Sequence, residues 1–171
     1  MKLRLLFILT LLLVNIWAFP QQDAATEKRI QQLVKKMTLA EKVGLLHGNS
    51  KFYVSGIKRL GIPEWALSDG PHGVRAEMNR HNWKYAGWTN DSSTCFPPGT
   101  AMAATWNIEL TQQRGYVLGE EARFRKKDVL LGPGINIIRS PLCGRNFEYL
   151  SEDPFLISQM AVAYILSLIH I

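Results

Sequence analysis

The sequence predicts an α/β protein in which parallel strands alternate with helices. Short apolar segments typical of strands occur at residues 65–67, 128–131 and 135–138, and segments with helical spacing precede, separate and follow them. Glycine and proline follow the first two strand candidates, as expected where strands end in turns. The hydrophobic fraction of 47% and the charged fraction of 20% are ordinary for a globular domain and exclude a disordered or collagen-like chain.

The first 18 residues have the layout of a secretory signal peptide. Lys2 and Arg4 form a basic start, residues 5–14 are an apolar run with Thr10 as its one polar residue, and Ala18 is a small residue at a suitable cleavage point. A membrane anchor is the alternative, but the apolar run is short for a span of about 20 residues. We therefore expect residues 1–18 to be removed and the protein to be secreted or periplasmic, with no membrane association after cleavage.

The net charge of +6 does not predict a nucleic-acid partner. The basic residues are scattered, apart from Lys35-Lys36 and residues 125–127. Both clusters follow helical patterns, so we expect them to be solvated at helix ends. No aromatic residues interleave with them in a binding pattern, which argues against a nucleic-acid surface.

The cysteines and histidines predict neither a metal site nor a disulfide framework. Cys95 and Cys143 permit one disulfide, but a single pair carries little signal for bridging, so we expect two free thiols. No group of Cys and His residues has the spacing of a zinc site, and no phosphate-binding loop is present. No cofactor is therefore predicted.

Two helices are predicted before the first strand. The first has one apolar face with helical spacing, formed by Ile30, Leu33, Val34 and Met37. Thr38 and Glu41 have the spacing of a capping box, which predicts a second short helix that continues until Gly48 stops it. We expect its apolar side chains to face inward, namely Leu39, Val43 and Leu46.

The later elements follow from caps and turns. Residues 77–99 form a long irregular stretch, and loops of that length inside a domain are usually functional lids or disordered. Asn107 is a suitable N-cap for a helix that reaches about Phe124. Residues 140–150 are predicted as a loop, and Asp153-Pro154 predicts the start of the last helix, because Asp caps well and Pro is tolerated at the first helical position.

The first candidate functional segment follows the strand at residues 65–67. This strand leads into a turn that carries Asp69, and Arg75 comes six residues later. The carboxyl ends of parallel strands hold the binding site in α/β folds. A carboxylate accepts hydrogen bonds and a guanidinium donates them, so the two side chains suit the neighbouring hydroxyls of a sugar. The alternative is a turn-capping Asp69 with Arg75 on the surface.

The second candidate segment covers residues 140–154. Arg145 lies beside Gly144, and carboxylates are within reach to partner a buried arginine, namely Glu148, Glu152 and Asp153. For Glu152 and Asp153 we prefer a structural interpretation as salt-bridge or helix-capping residues. For Arg145 we prefer a functional one, because of the resemblance described next.

Three segments together resemble the N-terminal domain of glycoside hydrolase family 3, and in particular its β-glucosidases. They read S-D-G-P-H-G-V-R at residues 68–75, F-P-P-G-T-A-M-A-A-T-W-N at 96–107 and G-R-N-F-E-Y-L-S-E-D-P at 144–154. The similarity runs from about residue 30 to 165 in the family's order and spacing. It implies a (β/α)8 TIM-like barrel and retaining exo-hydrolysis of terminal β-linked glucose or related sugars. The substrate would be a β-linked oligosaccharide or glycoside.

The resemblance also assigns residues. Asp69 matches the aspartate that binds hydroxyls of the terminal sugar, and Arg75 and Arg145 match arginines that line the same pocket. The family's Lys-His pair, its nucleophilic aspartate and its acid/base glutamate have no counterparts in this sequence, so we expect them beyond the chain end. Residues 19–165 are then the incomplete N-terminal part of a barrel, and the chain alone is expected to be inactive.

The last six residues depart from the family. The resemblance implies a polar, Gly-containing continuation, but residues 166–171 are largely apolar and can be encoded by an adapter used in sequencing libraries. We therefore expect residues 166–171 to be a non-native tail, with an authentic apolar helix end as the alternative. Three functional hypotheses stay open: a fragment of an exported β-glycosidase, a non-catalytic sugar-binding module, and a structural piece in which Asp69 and the arginines form only salt bridges.

Overall fold

The computed structural model describes residues 23–70, 72–87 and 92–169. The signal peptide expected at residues 1–18 lies outside the described residues. The chain divides into two compact units, residues 1–42 and 43–171. No helix in the described ranges is long and apolar enough to cross a membrane.

Side-chain caps mark the start of both N-terminal helices. Helix α1 covers Ala24–Lys36, and the Asp23 side chain accepts a hydrogen bond from the backbone of Ala25 at 3.1 Å. Helix α2 covers Leu39–Gly44. The predicted capping box is present, because Glu41 N donates to Thr38 Oγ1 at 3.2 Å and Thr38 N donates to Glu41 Oε2 at 2.8 Å.

Two details of the helix predictions are wrong. Helix α2 ends at Gly44 instead of running up to Gly48, which begins a strand. The side chains expected to face inward are exposed, with Leu39 at 78% and Leu46 at 85%. Helical spacing shows which side chains share a face, but it does not show whether another element covers that face.

The second unit contains a four-stranded sheet. Its strands are adjacent in chain order: β1 (Gly48–Ser50), β2 (Tyr53–Val54), β3 (Trp65–Ser68) and β4 (Val129–Leu130). The α/β class is confirmed and β3 and β4 are parallel, but β1, β2 and β3 pair antiparallel, which corrects the expectation of parallel strands. The polar β1 segment has no apolar pattern that would have predicted a strand.

Two helices connect the parallel strands, and another follows them. Helix α3 covers Gly99–Ala103 and helix α4 covers Ile108–Phe124, as the Asn107 cap predicts. Asn107 Oδ1 accepts a hydrogen bond from Leu110 N at 2.8 Å. After β4, a 3₁₀ turn at Asn146–Glu148 precedes helix α5 at Pro154–Ile169. A further 3₁₀ turn, Lys58–Leu60, lies between β2 and β3.

The third strand candidate is not a strand. Residues 135–138, which the structure describes in full, have no regular secondary structure. Ile138 N donates to Ser151 O at 3.0 Å, so the backbone here forms a hydrogen bond with a loop and not with a neighbouring β-strand. A short apolar run shows neither the alternation of a strand nor the spacing of a helix. Its secondary structure therefore depends on the segments that it pairs with in the fold.

The core lies where α4 packs against α5. Leu118 of α4, Met160 of α5 and Val74 of the loop after β3 are fully buried. A Cβ atom at Gly115 would lie 2.5 Å from Tyr164 O, so this glycine permits the close approach of the two helices. Residues 166–169 continue α5, and Leu168 packs against the core. A non-native origin of residues 166–171 stays a prediction.

Candidate functional site

A pocket of about 350 Å³ opens where β3 ends. The loop directly after β3 forms one side of it, and residues 93–95 and Tyr85 form the other. Asp69 and Arg75 both line it, so the structure brings these two predicted site residues together.

Two glycines shape the loop that carries them. Gly70 has a φ of +129° and Gly73 a φ of +152°. A Cβ atom at Gly70 would lie 1.8 Å from Gly73 O, and one at Gly73 would lie 2.0 Å from Thr94 O. Only glycine fits such positions without displacing the backbone. Arg75 N donates to Asp69 O at 3.2 Å, which closes the loop and sets the two side chains beside each other.

The Asp69 carboxylate is paired by charge but is not fully hydrogen-bonded. Its Oδ1 atom lies 2.8 Å from Arg75 Nε. This short contact is not aligned as a hydrogen bond, and the buried Oδ1 atom accepts none from the described residues. The side chain as a whole is 42% exposed. The exposed part of the carboxylate therefore keeps acceptor capacity for the hydroxyl groups of a ligand.

Aromatic rings surround Arg75. Its Cζ atom lies 4.0 Å from the centroid of the Phe52 ring and 5.9 Å from that of Trp83. Phe52 lies in the turn between β1 and β2, far from Arg75 in the sequence. The sequence reasoning missed this neighbour, because no local signal links an aromatic residue in a hairpin turn to an arginine 23 positions later.

A buried polar network lies beneath this site. Lys127 forms an ion pair with Glu77, and the two side chains are 4% and 8% exposed. Tyr53 Oη donates to Glu77 Oε1 at 2.8 Å. The pKa of Tyr53 is raised, mainly because the phenol is buried and also because it donates a hydrogen bond to Glu77. The network joins β2, the segment between α4 and β4, and the start of the long loop.

This network corrects one sequence prediction. The basic cluster at residues 125–127 was expected to be a solvated helix end. Instead, the Arg125 side chain is 7% exposed and pairs with Glu121 at 3.3 Å, and Lys127 is buried against Glu77. Both cations find carboxylate partners on other turns or elements, which a count of charges along the chain does not reveal.

Arg145 is not brought into the pocket. Its guanidinium pairs with Glu148, its side chain is 72% exposed, and it is absent from the described lining of the pocket. Its segment nevertheless adjoins the Asp69 loop, because His72 Nε2 donates to Phe147 O at 3.2 Å and the two rings lie 5.6 Å apart. A role for Arg145 in binding stays a prediction.

Asp153 and the two cysteines are the remaining residues that the sequence singled out. Asp153 caps α5, since its Oδ1 accepts from Phe155 N at 2.8 Å. Cys95 and Cys143 are free thiols, and both are exposed. Within the described ranges, no group of three or more His, Cys, Asp or Glu side chains is arranged to hold a metal ion.

Comparisons with known proteins agree on one family. The model of the glycosyl hydrolase family 3 N-terminal domain matches residues 81–170. Beta-glucosidase BoGH3A of Bacteroides ovatus is 58% identical over 139 residues, which cover 81% of this chain and 19% of that protein. An exo-alpha-(1->6)-L-arabinopyranosidase of Bifidobacterium longum is 42% identical over 136 residues, which cover 77% of this chain and 17% of that protein.

Solved structures give the same result. The structure of beta-glucosidase 3B from Thermotoga neapolitana in complex with glucose matches with a TM-score of 0.71 at 36% identity. The match covers 82% of this chain and 21% of that one. This chain spans about a fifth of the length of the relatives it matches.

Proposed function

This chain belongs to glycosyl hydrolase family 3, and from this premise we propose that it forms the sugar-binding part of a retaining, exo-acting β-glycosidase. The substrate class is a terminal β-linked glucose or a related sugar on an oligosaccharide or another aglycone. The observation that carries the proposal is the Asp69 carboxylate at the end of β3, which lines the pocket, pairs with Arg75 through Oδ1 and is still 42% exposed.

The two side chains have complementary roles in this proposal. Asp69 accepts hydrogen bonds from sugar hydroxyls, and Arg75 donates to the sugar oxygens while it compensates the charge of Asp69. Arg145 reaches the same sugar only if its guanidinium leaves Glu148. These groups hold the sugar in one orientation, and such orientation lowers the barrier of the chemical step.

The chemical step needs further groups. Retaining hydrolysis uses two carboxyl groups about 5–5.5 Å apart, one as the nucleophile and one as the acid and base. Asp69 is the one carboxylate among the described residues that line the pocket. On the family resemblance, we propose that the nucleophilic aspartate and the acid/base glutamate lie outside these 171 residues, and that β3, β4 and their helices belong to a TIM-like barrel. Export through residues 1–18 remains part of the proposal.

The test is hydrolysis of an aryl β-glucoside by the complete product of the gene. We expect turnover of the β-glucoside, release of glucose first as the β-anomer, and no turnover of the aryl α-glucoside. The 171-residue chain assayed in parallel is expected to be inactive. Because one relative is an arabinopyranosidase, an aryl α-L-arabinopyranoside belongs in the same series. A complete gene product that hydrolyses none of these glycosides contradicts the proposal.

A non-catalytic sugar-binding module is the second candidate. The single carboxylate lining the described pocket favours it, because one carboxylate can bind a sugar but cannot complete retaining catalysis. Glucose binding by the complete gene product without hydrolysis selects this second function.

A further inference from the structure

We propose that Phe52 is a positioning residue of the sugar pocket, where its ring holds the Arg75 guanidinium in the orientation that sugar binding requires. The inference rests on the proposed function and adds to it a residue from a different part of the chain. Phe52 lies in the β1–β2 turn and is not among the residues that line the pocket. It acts through Arg75, which does line the pocket.

The contact has the geometry of a cation over an aromatic face. The Arg75 Cζ atom lies 4.0 Å from the Phe52 ring centroid, well inside the range in which such contacts are attractive. Trp83 meets Phe52 edge-on, with the ring centroids 6.2 Å apart and the planes at 79°. Lys51 Nζ lies 3.7 Å above the Trp83 ring. Arg75 Cζ also lies 5.9 Å from the Trp83 ring centroid, so the guanidinium, the Phe52 ring and the Trp83 ring are mutual neighbours.

The backbone of Phe52 is fixed as well. Its φ of 59° lies in the left-handed region, which glycine adopts at lower cost than a bulky residue. Phe52 O accepts a hydrogen bond from Leu67 N at 2.7 Å. This bond ties the turn to β3, the strand that leads directly into Asp69. The backbone conformation at position 52 favours glycine, so the reason for a phenylalanine there lies in its side chain.

Stacking leaves the donors of Arg75 available. The phenylalanine ring has no oxygen or nitrogen acceptor, so the N–H groups of Arg75 keep their capacity for oxygen acceptors while the guanidinium lies over the ring. Arg75 Nε lies 2.8 Å from Asp69 Oδ1 while the Arg75 side chain remains 29% exposed. Without the ring, this long side chain would gain rotamers that point away from Asp69.

The kinetic test is a double-mutant cycle in the complete gene product. Phe52→Leu keeps an unbranched Cβ on the same backbone but removes the ring face. We expect it to lower kcat/KM by about three- to thirtyfold, the size of one partly desolvated cation–π contact. Phe52→Tyr restores the ring and is expected to retain most of the wild-type kcat/KM. In an Arg75→Met background, Phe52→Leu is expected to change kcat/KM by less than about twofold.

The matched control is Phe155→Leu, the same substitution at an exposed position on α5. We expect wild-type kinetics from it. An equal loss from Phe52→Leu in the wild-type and Arg75→Met backgrounds overturns the proposal, because Phe52 would then act only on general stability. Wild-type kinetics in Phe52→Leu also overturns it.

A chemical readout separates this proposal from the proposed function. Phenylglyoxal modifies accessible guanidinium groups, and peptide mass spectrometry reports the rate at each arginine. We expect faster modification of Arg75 in Phe52→Leu than in the wild-type protein, while exposed Arg139 reacts equally in both. Unchanged labelling of Arg75 overturns the stacking itself. A wild-type protein that hydrolyses no glycoside contradicts the proposed function, and the labelling result still decides the role of Phe52.

Discussion

Replacement of Asp69 by asparagine should separate sugar binding from folding. The substitution keeps the shape of the side chain, removes its charge and turns one oxygen into an N–H donor. In the folded protein, Asp69 pairs with Arg75 at 2.8 Å, but its side chain is 42% exposed. Solvent screening limits the contribution of such a pair to about 1 kcal/mol or less. We therefore expect only a small change in melting temperature.

The expected loss of activity is much larger. The loss of this charged acceptor leaves hydroxyl donors of the bound sugar unpaired, which costs about 2–5 kcal/mol of transition-state stabilisation. This corresponds to a decrease in kcat/KM of roughly 30- to 4,000-fold. The assay is initial-rate hydrolysis of an aryl β-glucoside by the complete gene product, with the melting temperature measured on the same samples.

Asp128→Asn is the matched control. Asp128 Oδ2 accepts a hydrogen bond from Ala66 N at 2.8 Å, so this carboxylate supports the same sheet outside the pocket. We expect Asp128→Asn to affect stability more than activity, which is the reverse of Asp69→Asn. The reasoning is refuted if Asp69→Asn retains kcat/KM within about tenfold of the wild type, since Asp69 would then be only a turn cap.

Two further predictions concern buried ionisable groups. Lys127→Met is expected to lower the free energy of unfolding by about 3–5 kcal/mol, because it breaks the buried ion pair between Lys127 and Glu77. An unchanged urea midpoint would contradict this, and Lys126→Met at an exposed neighbour is the control. Burial raises the pKa of Tyr164 above its usual 10.0, so its contribution to stability is complete below pH 10.0 and is lost as pH rises from there towards the raised folded pKa. Tyr164→Phe should flatten this alkaline loss in thermal melts, and equally steep losses in both proteins would show that other groups cause it.

The parts of the fold that local chemistry encodes could be predicted from the sequence. The reciprocal bonds of Thr38 and Glu41 and the Asn107 cap involve residues within one helical turn, so their spacing is visible in the chain. Strand β3 could be predicted for a similar reason, since a turn that requires glycine follows its apolar run.

Partners distant in the sequence could not be predicted. Lys127 has the pattern of a solvated helix end, and only the folded chain places Glu77 beside it. The ring of Phe52 under Arg75 and the pairing of polar β1 with β2 are also long-range choices. In the candidate site, the loop sequence was sufficient to pair Asp69 with Arg75, but it did not show that Arg145 pairs with Glu148 and stays exposed.

A crystal structure of the complete gene product with bound glucose tests the central claim most directly. The account predicts a glucose molecule in the pocket at the end of β3, with at least one hydroxyl oxygen at hydrogen-bond distance from the Asp69 carboxylate, about 2.5–3.0 Å. It also predicts a guanidinium N–H of Arg75 directed at the same sugar. Glucose bound at another place in the protein, with Asp69 paired only to Arg75, would contradict the account.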